Sequence, residues 1–504
     1  MKRALPVVLS GMALVMSTTL ALAAGAVTRV SGPSPYAGCT AGAGTGKIYV
    51  NTEVEPYVAV NPANPKTLVA TWQQDRWSNG GAHGGASASS ADGGRSWTET
   101  TLPLSSCAPG AVVAADGKSF LRASDFWVSF GPDGTAYASG LPFDLIDGRN
   151  GVANATSRDG GLTWHNAQMV YFSATNQFSA DKNSVTANPV QPRVAYTVWD
   201  VLVSATDNPD DNPHTGAYNG DAYFSGTTDG GVTWGTPKVI FPTSNRNQTI
   251  GNVVVVDSRN GGNTLYDFAN YIVAPNSASN TQQELAFVKS TDGGATWSAP
   301  QVVTQMFTKG VHDPNTGALL RVGDGIPSVT IDPATGQIYA AWEDSTQFKK
   351  GDTSSSVFDD EISMVTSMDG GASWTAPLRV SNFSGQPVFT PSLAVDTAGR
   401  VGLTYYDARN LTAGNTTTMP VDYWFNSSTD HGATFGAERH VAGSFNILAA
   451  PYARGYFLGD YMGLASSGRT FVAAFAATNC TDNSCSATAN PGVNAQDIFV
   501  ATGL

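Results

Sequence analysis

Short runs in which apolar and polar residues alternate recur from about residue 47 to the end of the chain. This period of two is typical of β-strands that have one buried and one polar face. The runs come in pairs around a turn, at 55–62 with 67–72, 126–130 with 135–139, 184–187 with 193–199, 253–256 with 264–268, 328–331 with 337–342, 392–395 with 401–405, and 461–464 with 470–475. The order predicts an all-β protein built from repeated antiparallel units.

An eight-residue sequence follows the third run of six units, and it is clearest from Ser290 to Trp297, which reads Ser-Thr-Asp-Gly-Gly-Ala-Thr-Trp. The aspartate can accept hydrogen bonds from nearby backbone N–H groups, and the glycines tolerate a positive φ. Each copy therefore predicts a tight turn between two strands, and its aspartate a structural role. The other copies begin at Ser90, Ser157, Thr227, Ser367 and Ser428.

The spacing of these turns gives the size of the repeating unit. Their aspartates, Asp92, Asp159, Asp229, Asp292, Asp369 and Asp430, are 67, 70, 63, 77 and 61 residues apart. Repeated units of four short antiparallel strands predict a β-propeller. We interpret residues 47–504 as a single propeller domain. Seven blades fit this length and spacing better than six, and six blades are the alternative. The last unit has a third strand at 497–502 but no fourth, so we expect the N-terminal strand 47–51 to close the ring.

The N-terminus has the layout of a cleavable signal peptide at residues 1–23, with Lys2 and Arg3 before an apolar run that ends in Ala-Leu-Ala. Residues 24–46 show no periodicity and are predicted to be a flexible lead-in. We expect a secreted or periplasmic monomer that does not contact a membrane after cleavage. The formal net charge of -13 becomes -15 once Lys2 and Arg3 are lost, which disfavours a nucleic-acid partner.

Four cysteines in an exported chain predict disulfides, for which three connectivities are possible. Cys480 and Cys485 are close enough for a local loop, which would leave Cys39 to pair with Cys107. The sequence does not indicate a zinc site, because it contains no C-x-x-C motif and no close pair of histidines. We expect no cofactor, although two acidic groups could hold a structural calcium ion and are otherwise solvated loops. They are Asp207, Asp210 and Asp211, and Asp359, Asp360 and Glu361.

Propeller geometry places the repeated turns on one face and the longer loops on the other. Aromatic and acidic residues are concentrated in those longer loops, a combination that suits sugar binding. The candidates for substrate binding on this face are Trp77, Asp324, Asp407 and Asp460. Four arginines fall in the same loops and could clamp the carboxylate of an anionic sugar, or could instead form loop-fixing salt bridges. They are Arg76, Arg321, Arg409 and Arg454.

The repeated sequence Ser-x-Asp-x-Gly-x-Thr-Trp resembles the Asp box, or bacterial neuraminidase repeat, and the chain resembles secreted bacterial sialidase-like proteins. This resemblance implies a propeller with a glycan site at the centre of one face. It also implies three arginines around the substrate carboxylate, a tyrosine nucleophile paired with a glutamate, and an aspartate as the acid/base. The tyrosine would be Tyr406 or Tyr456, the glutamate Glu343 or Glu55, and the aspartate Asp75 or Asp125.

The sequence thus favours an exported sialidase-like glycoside hydrolase that acts on terminal acidic sugars of glycans. Two alternatives stay open on the same scaffold. One is a polysaccharide lyase acting on uronic-acid polymers, with tyrosine and histidine as acid and base. The other is a non-catalytic propeller that binds a glycan or a protein, because a fold alone does not define a reaction.

Overall fold

The structure is a computed structural model that describes residues 25–208, 217–273, 282–308, 310–345, 360–490 and 492–504. Within these ranges the regular elements are β-strands and two short 3-10 helices, Ser258–Asn260 and Ile447–Ala449. The prediction of an all-β protein is confirmed. The predicted signal peptide lies outside the described residues.

The described strands pair into antiparallel groups of four, and seven such groups are present. Groups 1 to 3 are β2 (Ile48–Val60), β3 (Leu68–Trp77), β4 (Ala82–Ser90) and β5 (Thr98–Thr101); β6 (Arg122–Phe130), β7 (Ala136–Phe143), β8 (Asn150–Ser157) and β9 (His165–Ser173); and β10 (Phe178–Ala187), β11 (Ala195–Ser204), β12 (Ala217–Thr227) and β13 (Lys238–Phe241). Groups 4 and 5 are β14 (Gln248–Asp257), β15 (Thr264–Val273), β16 (Gln282–Ser290) and β17 (Gln301–Met306); and β20 (Ser328–Ile331), β21 (Ile338–Asp344), β22 (Glu361–Ser367) and β23 (Leu378–Arg379). Groups 6 and 7 are β24 (Val388–Val395), β25 (Val401–Asp407), β26 (Pro420–Ser428) and β27 (Arg439–Asn446); and β29 (Gly463–Ser467), β30 (Thr470–Thr478), β31 (Gln496–Thr502) and β1 (Val27–Arg29).

A small separate sheet contains β18 (Val311–His312), β19 (Leu319–Arg321) and β28 (Tyr456–Phe457). The parallel pairing of β19 with β28 brings the segment before group 5 beside the segment before group 7, with Arg321 opposite Phe457. This sheet places Arg321 next to the segment that leads into β29.

The first strands of the seven groups lie against one another in chain order, and β29 also lies against β2. The apolar cores lie between neighbouring groups. One core, for example, joins Tyr196 and Phe224 of group 3 to Val254 and Leu265 of group 4. Burial of such apolar surface between successive sheets is the main source of stability in this arrangement.

The strand that completes group 7 differs from the one that the sequence suggested. Val27–Arg29 pairs with β31, whereas residues 48–51 begin β2 and pair with β3 through Ile48 and Trp77. The described part of the segment that shows no periodicity in sequence, residues 25–46, is also attached to the sheets. Tyr36 is buried and donates a hydrogen bond to the Gly85 carbonyl at 2.7 Å. Isolated anchoring residues of this kind leave no pattern in the sequence.

Both disulfide pairings expected from the sequence are confirmed. Cys39 pairs with Cys107, and Cys480 pairs with Cys485. Two disulfides suggest an extracellular or periplasmic protein, because such bonds persist in oxidising compartments. In the described part of the chain, no helix has the length and apolar character needed to cross a membrane.

The six repeated turns share one hydrogen-bond pattern between the third and fourth strands of groups 1 to 6. In the copy at Ser290, the Ser290 hydroxyl donates to Asp292 Oδ1 at 2.8 Å and accepts from Gly294 N at 2.9 Å. Asp292 also accepts from the Thr296 amide at 2.9 Å and from the Thr296 hydroxyl at 2.6 Å. These bonds to the charged form lower the pKa of Asp292 to about 2. The Asp292 carboxylate therefore forms hydrogen bonds within the turn through both of its oxygens.

Candidate functional site

Bulges in three neighbouring first strands turn charged side chains toward one another. The register of β2, β6 and β10 shifts at Glu55, Asp125 and Lys182, whose φ angles are 54°, 55° and 44°. A positive φ is costly for residues other than glycine, and bulges commonly re-aim side chains near functional sites. The strand irregularities therefore position the central charged cluster.

Lys182 occupies the centre of this cluster and is buried. Its Nζ lies 2.5 Å from Asp460 Oδ2, 3.5 Å from Asp125 Oδ2 and 3.7 Å from Glu55 Oε1. Burial would lower the pKa of the Lys182 ammonium group, but the three carboxylates outweigh burial and raise it. Lys182 therefore stays charged and joins residues from groups 1, 2 and 3 to the entry of group 7.

Asp460 reaches the cluster because the chain before β29 passes directly over β2. A Cβ atom on Gly459, where φ is 150°, would lie 2.8 Å from Glu55 Cα. The Asp460 amide donates to Glu55 Oε1 at 3.1 Å. Arg321 binds both carboxylate oxygens of Asp460, through Nε at 3.0 Å and a terminal nitrogen at 2.5 Å. Lys182 and Arg321 together hold the pKa of Asp460 far below its usual value, against the effect of burial.

Two arginines lie side by side on the ring of Phe457. The Cζ atoms of Arg76 and Arg321 are 4.8 Å and 4.4 Å from the centre of that ring. Arg76 is buried and donates to Gln73 Oε1, while Gln73 Nε2 donates to Glu55 and, at 3.4 Å, to Asp125. Burial and the nearby Arg321 lower the pKa of Arg76 to about 10. Arg76 remains positively charged at neutral pH.

A cavity of about 550 Å³ opens onto this cluster. Arg76, Arg321 and Arg454 all line it, together with Asp125 and Lys182. Its size falls in the range that holds a ligand of a few hundred daltons. A smaller cavity of about 220 Å³ shares Lys182, Arg321 and Arg454 with it and is also lined by two predicted residues, Asp324 and Asp460.

Below the charged cluster is a group of aromatic residues. The ring of Trp127 lies 3.8 Å from that of Tyr57 and 5.2 Å from that of Tyr461, measured between ring centres. The Tyr461 hydroxyl is buried, and no side-chain or backbone group in the described residues forms a hydrogen bond with it. Burial and the carboxylates of Glu55, Asp125 and Asp460 raise the pKa of Tyr461 well above its ordinary value. Its phenol therefore stays protonated at neutral pH.

The carboxyl group of Glu55 has a strongly perturbed environment. Burial raises the pKa of Glu55 to about 8, with Lys182 opposing this shift and Asp125 and Asp460 adding to it. Perturbed carboxyl groups beside a cavity are typical of functional sites. Glu55 itself lies behind the cavity wall, and Asp125 is the member of this pair that lines the cavity.

Arg409 and Asp407 were predicted to bind substrate, and the structure pairs them with each other. Arg409 donates to Asp407 at 2.5 Å and 2.8 Å and to Glu438 at 2.9 Å, and its Cζ lies 3.6 Å from the centre of the Trp424 ring. Asp407 is completely buried. Both charges are thus paired within group 6, and neither residue lines the cavities described above.

The two predicted tyrosines do not line the cavities either. Tyr406 is buried in an apolar core, where its hydroxyl donates to the Ala476 carbonyl at 2.8 Å. Tyr456 lies on β28 and packs edge-on against Tyr452, with ring centres 5.4 Å apart. Both rings therefore have packing contacts outside the two cavities that carry the arginines.

Three further predicted residues support the site or lie behind it. Asp75 is buried and accepts hydrogen bonds from Ser34 Oγ at 2.6 Å and Asn51 N at 2.9 Å. Trp77 lies beneath the guanidinium group of Arg122, which is 4.2 Å from its ring centre. Glu343 accepts from Thr390 N at 2.6 Å and lines a cavity of only about 40 Å³, beside Asp460 and Tyr461.

Two residues of the cluster, Lys182 and Tyr461, were not among the predicted site residues. A positional signal for Lys182 exists in the sequence: Glu55, Asp125 and Lys182 each precede a buried strand valine, Val58, Val128 or Val185, by three residues. Aligning the first strands on that valine would have placed all three in equivalent positions.

The two acidic groups considered for calcium are only partly within the described residues. Among the described residues, no group of three or more His, Cys, Asp or Glu side chains has the geometry to hold a metal ion. Asp360 accepts a hydrogen bond from Thr308 at 3.0 Å, and Glu361 lies 3.4 Å from Arg379. Asp210, Asp211 and Asp359 lie outside the described residues.

Comparison with known proteins gives only distant structural similarity. No protein-family model and no curated protein matches the chain. An α-L-arabinanase from Penicillium chrysogenum, solved with arabinobiose, has a TM-score of 0.45 and 15% identity, covering 71% of this chain and 90% of its own. A Hadza microbial sialidase has a TM-score of 0.44 and 11% identity, covering 90% of both chains. A protein of unknown function from Dyadobacter fermentans has a TM-score of 0.43 and 14% identity, covering 91% and 96%. Similarity at this level supports no inference about the reaction.

Proposed function

We propose that this protein is an exported glycoside hydrolase that removes an acidic sugar from a glycan. The observation that carries this proposal is the convergence of Arg76, Arg321 and Arg454 on one cavity whose wall also contains Asp125. Planar guanidinium groups match the geometry of a carboxylate, so three of them around one cavity favour an anionic sugar such as a sialic or uronic acid.

Asp125 is the best placed group for proton transfer to the glycosidic oxygen. Asp125 is one of the residues that line the cavity, and its carboxylate lies 3.5 Å from Lys182 Nζ and accepts a hydrogen bond from Gln73 Nε2 at 3.4 Å. Glu55 shares both of these partners and would tune the charge around Asp125. A tyrosine nucleophile receives less support, because the raised pKa of Tyr461 disfavours the phenolate.

The test is hydrolysis of fluorogenic sialosides and of uronic-acid glycosides and polysaccharides by the purified protein. We expect release of the acidic sugar, with loss of at least 100-fold in rate for Asp125→Asn, on the scale expected for a general acid. Arg454→Ala should weaken substrate affinity. Arg95→Ala, which removes an exposed arginine from a repeated turn, is the matched control and should leave activity unchanged.

A non-catalytic glycan-binding protein is the second candidate, and one observation favours it. Arg321 is already bound by both oxygens of Asp460, which leaves less of its guanidinium group for a substrate. Binding of acidic sugars that is lost in Arg454→Ala, without any product, would support this alternative. An unsaturated product that absorbs ultraviolet light would instead indicate a lyase, and absence of both binding and product would refute the proposal.

We further propose that the seven groups are the blades of a propeller formed mainly by residues 47–504 and closed by β1, Val27–Arg29, from the preceding segment. The pairing of β1 with β31 and the contact between β29 and β2 support this closure. The protein would act as a monomer after loss of residues 1–23. Its target is a glycan, and the net charge, -13 for the full sequence and -15 without Lys2 and Arg3, disfavours nucleic acid as a partner.

A further inference from the structure

Part of the lining of the 550 Å³ cavity is apolar, in contrast to the part that carries the arginines. Its apolar residues are Leu141 and Phe143 at the end of β7, Leu145 and Ile146 in the loop that follows, and Leu202 of β11. Asp144 of the same loop also lines the cavity, but its carboxylate is bound by Arg149. Leu141 and Leu202 are buried, whereas Ile146 is 64% exposed. An isolated exposed isoleucine needs no explanation, but one that extends an apolar cavity wall marks a place for an apolar ligand group.

The loop that carries Ile146 is fixed at its base. The Asp144 amide donates to the Arg149 carbonyl at 2.8 Å, and the Arg149 guanidinium group binds Asp144 at 2.5 Å and Asp116 at 2.8 Å. Arg149 is itself buried and lies over the ring of Phe120. The exposed apolar residue is therefore held at the cavity rim by a closed loop, which lowers the entropic cost of ligand contact.

Phe143 is fixed as well, because it packs against the backbone of Gly81. A Cβ atom on Gly81, where φ is 63°, would lie 2.5 Å from the Phe143 ring. Only glycine combines this φ with so close an approach. The apolar wall is therefore preformed in the absence of ligand.

We propose, resting on the function proposed above, that the substrate is an amphiphilic glycoside whose acidic sugar carries an apolar aglycone. Arg76, Arg321 and Arg454 would hold the carboxylate, and the wall of Phe143, Leu145 and Ile146 would cover an aryl or alkyl leaving group. Removal of this apolar surface from water supplies affinity that a purely polysaccharide ligand would not gain.

The test is a comparison of dissociation constants for matched ligands by titration calorimetry. The probes are the methyl and phenyl glycosides of N-acetylneuraminic acid and of glucuronic acid, with phenyl galactoside as a neutral ligand. We expect the phenyl glycoside of the preferred acid to bind about tenfold more tightly than the methyl glycoside. In Ile146→Ser this ratio should fall to about one, and Leu145→Ser should reduce it. Met368→Ser is the control, because Met368 is similar in size to isoleucine and is 79% exposed on a repeated turn. This variant should retain the ratio.

A wild-type ratio near one, or a ratio unchanged in Ile146→Ser, would overturn the apolar aglycone while leaving the acidic-sugar proposal intact. If phenyl galactoside binds as tightly as the acidic phenyl glycosides and is lost in Ile146→Ser, the apolar subsite stands and the proposed acidic substrate is refuted. Because Ile146 and Met368 are both exposed, neither substitution is expected to impair folding.

Discussion

Lys182 Nζ lies 2.5 Å from Asp460 Oδ2, which joins two residues 278 positions apart in the chain. Lys182 belongs to β10 in group 3, and Asp460 precedes β29 in group 7. Both side chains are buried, and Arg321 binds the same carboxylate. This ion pair therefore connects distant parts of the chain at the floor of the cavity.

Replacement of Lys182 by Met should strongly destabilise the protein. The change would leave Glu55, Asp125 and Asp460 with one less cation in a buried environment. Loss of one partner from a buried ion pair costs about 3–5 kcal/mol. Urea unfolding should show this loss, whereas Lys66→Met, at an exposed position, should change stability by less than about 0.5 kcal/mol. Equal midpoints for the two variants would show that the buried cluster does not need its lysine.

Arg409→Ala should reduce stability without affecting ligand binding. The substitution removes the partner of the buried Asp407 and the ring contact with Trp424. We expect a loss of about 2 kcal/mol or more, below the value for a fully buried pair because the Arg409 side chain is 20% exposed. The dissociation constant for an acidic glycoside should match that of the unmodified protein. Weaker binding of the acidic glycoside by a folded Arg409→Ala protein would show that Arg409 contributes to the ligand site.

The comparison between sequence and structure shows which features have local causes. Strand pairs and repeated turns follow from alternation and from Asp-Gly-Gly chemistry, so the second strand of group 6, predicted at 401–405, is found at Val401–Asp407. The first strands of groups 2 and 3 begin earlier than predicted, because the bulges at Asp125 and Lys182 interrupt the alternation. The choice among arginines was not predictable either. Arg321 reaches the cavity through pairing with the distant β28, while Arg409 meets Glu438 within its own group.

The two disulfides should contribute unequally to stability. Cys39 and Cys107 are 68 residues apart, whereas Cys480 and Cys485 are 5 apart. Loop-closure entropy predicts a contribution of about 4 kcal/mol for the longer loop and about 2 kcal/mol for the shorter one. Thermal or urea unfolding of the two double Cys→Ser variants measures this difference. A larger effect from the short loop would show that native contacts, rather than chain entropy, dominate.

The repeated turns should make stability sensitive to acid, and Asp292→Asn tests this directly. Hydrogen bonds from Thr296 and Ser290 lower the pKa of Asp292 to about 2, below the ordinary value near 3.8. A carboxylate with a depressed pKa adds stability above its unfolded pKa, and this contribution is lost as the pH falls through the folded value. At pH 7, Asp292→Asn should therefore be less stable than the unmodified protein, and the difference should shrink between about pH 4 and pH 2. Asp207→Asn, at an exposed position outside the turns, is the matched control and should show no such pH dependence. A difference for Asp292→Asn that stays constant down to pH 2 would mean that the amide loses shape complementarity rather than charge-dependent hydrogen bonds.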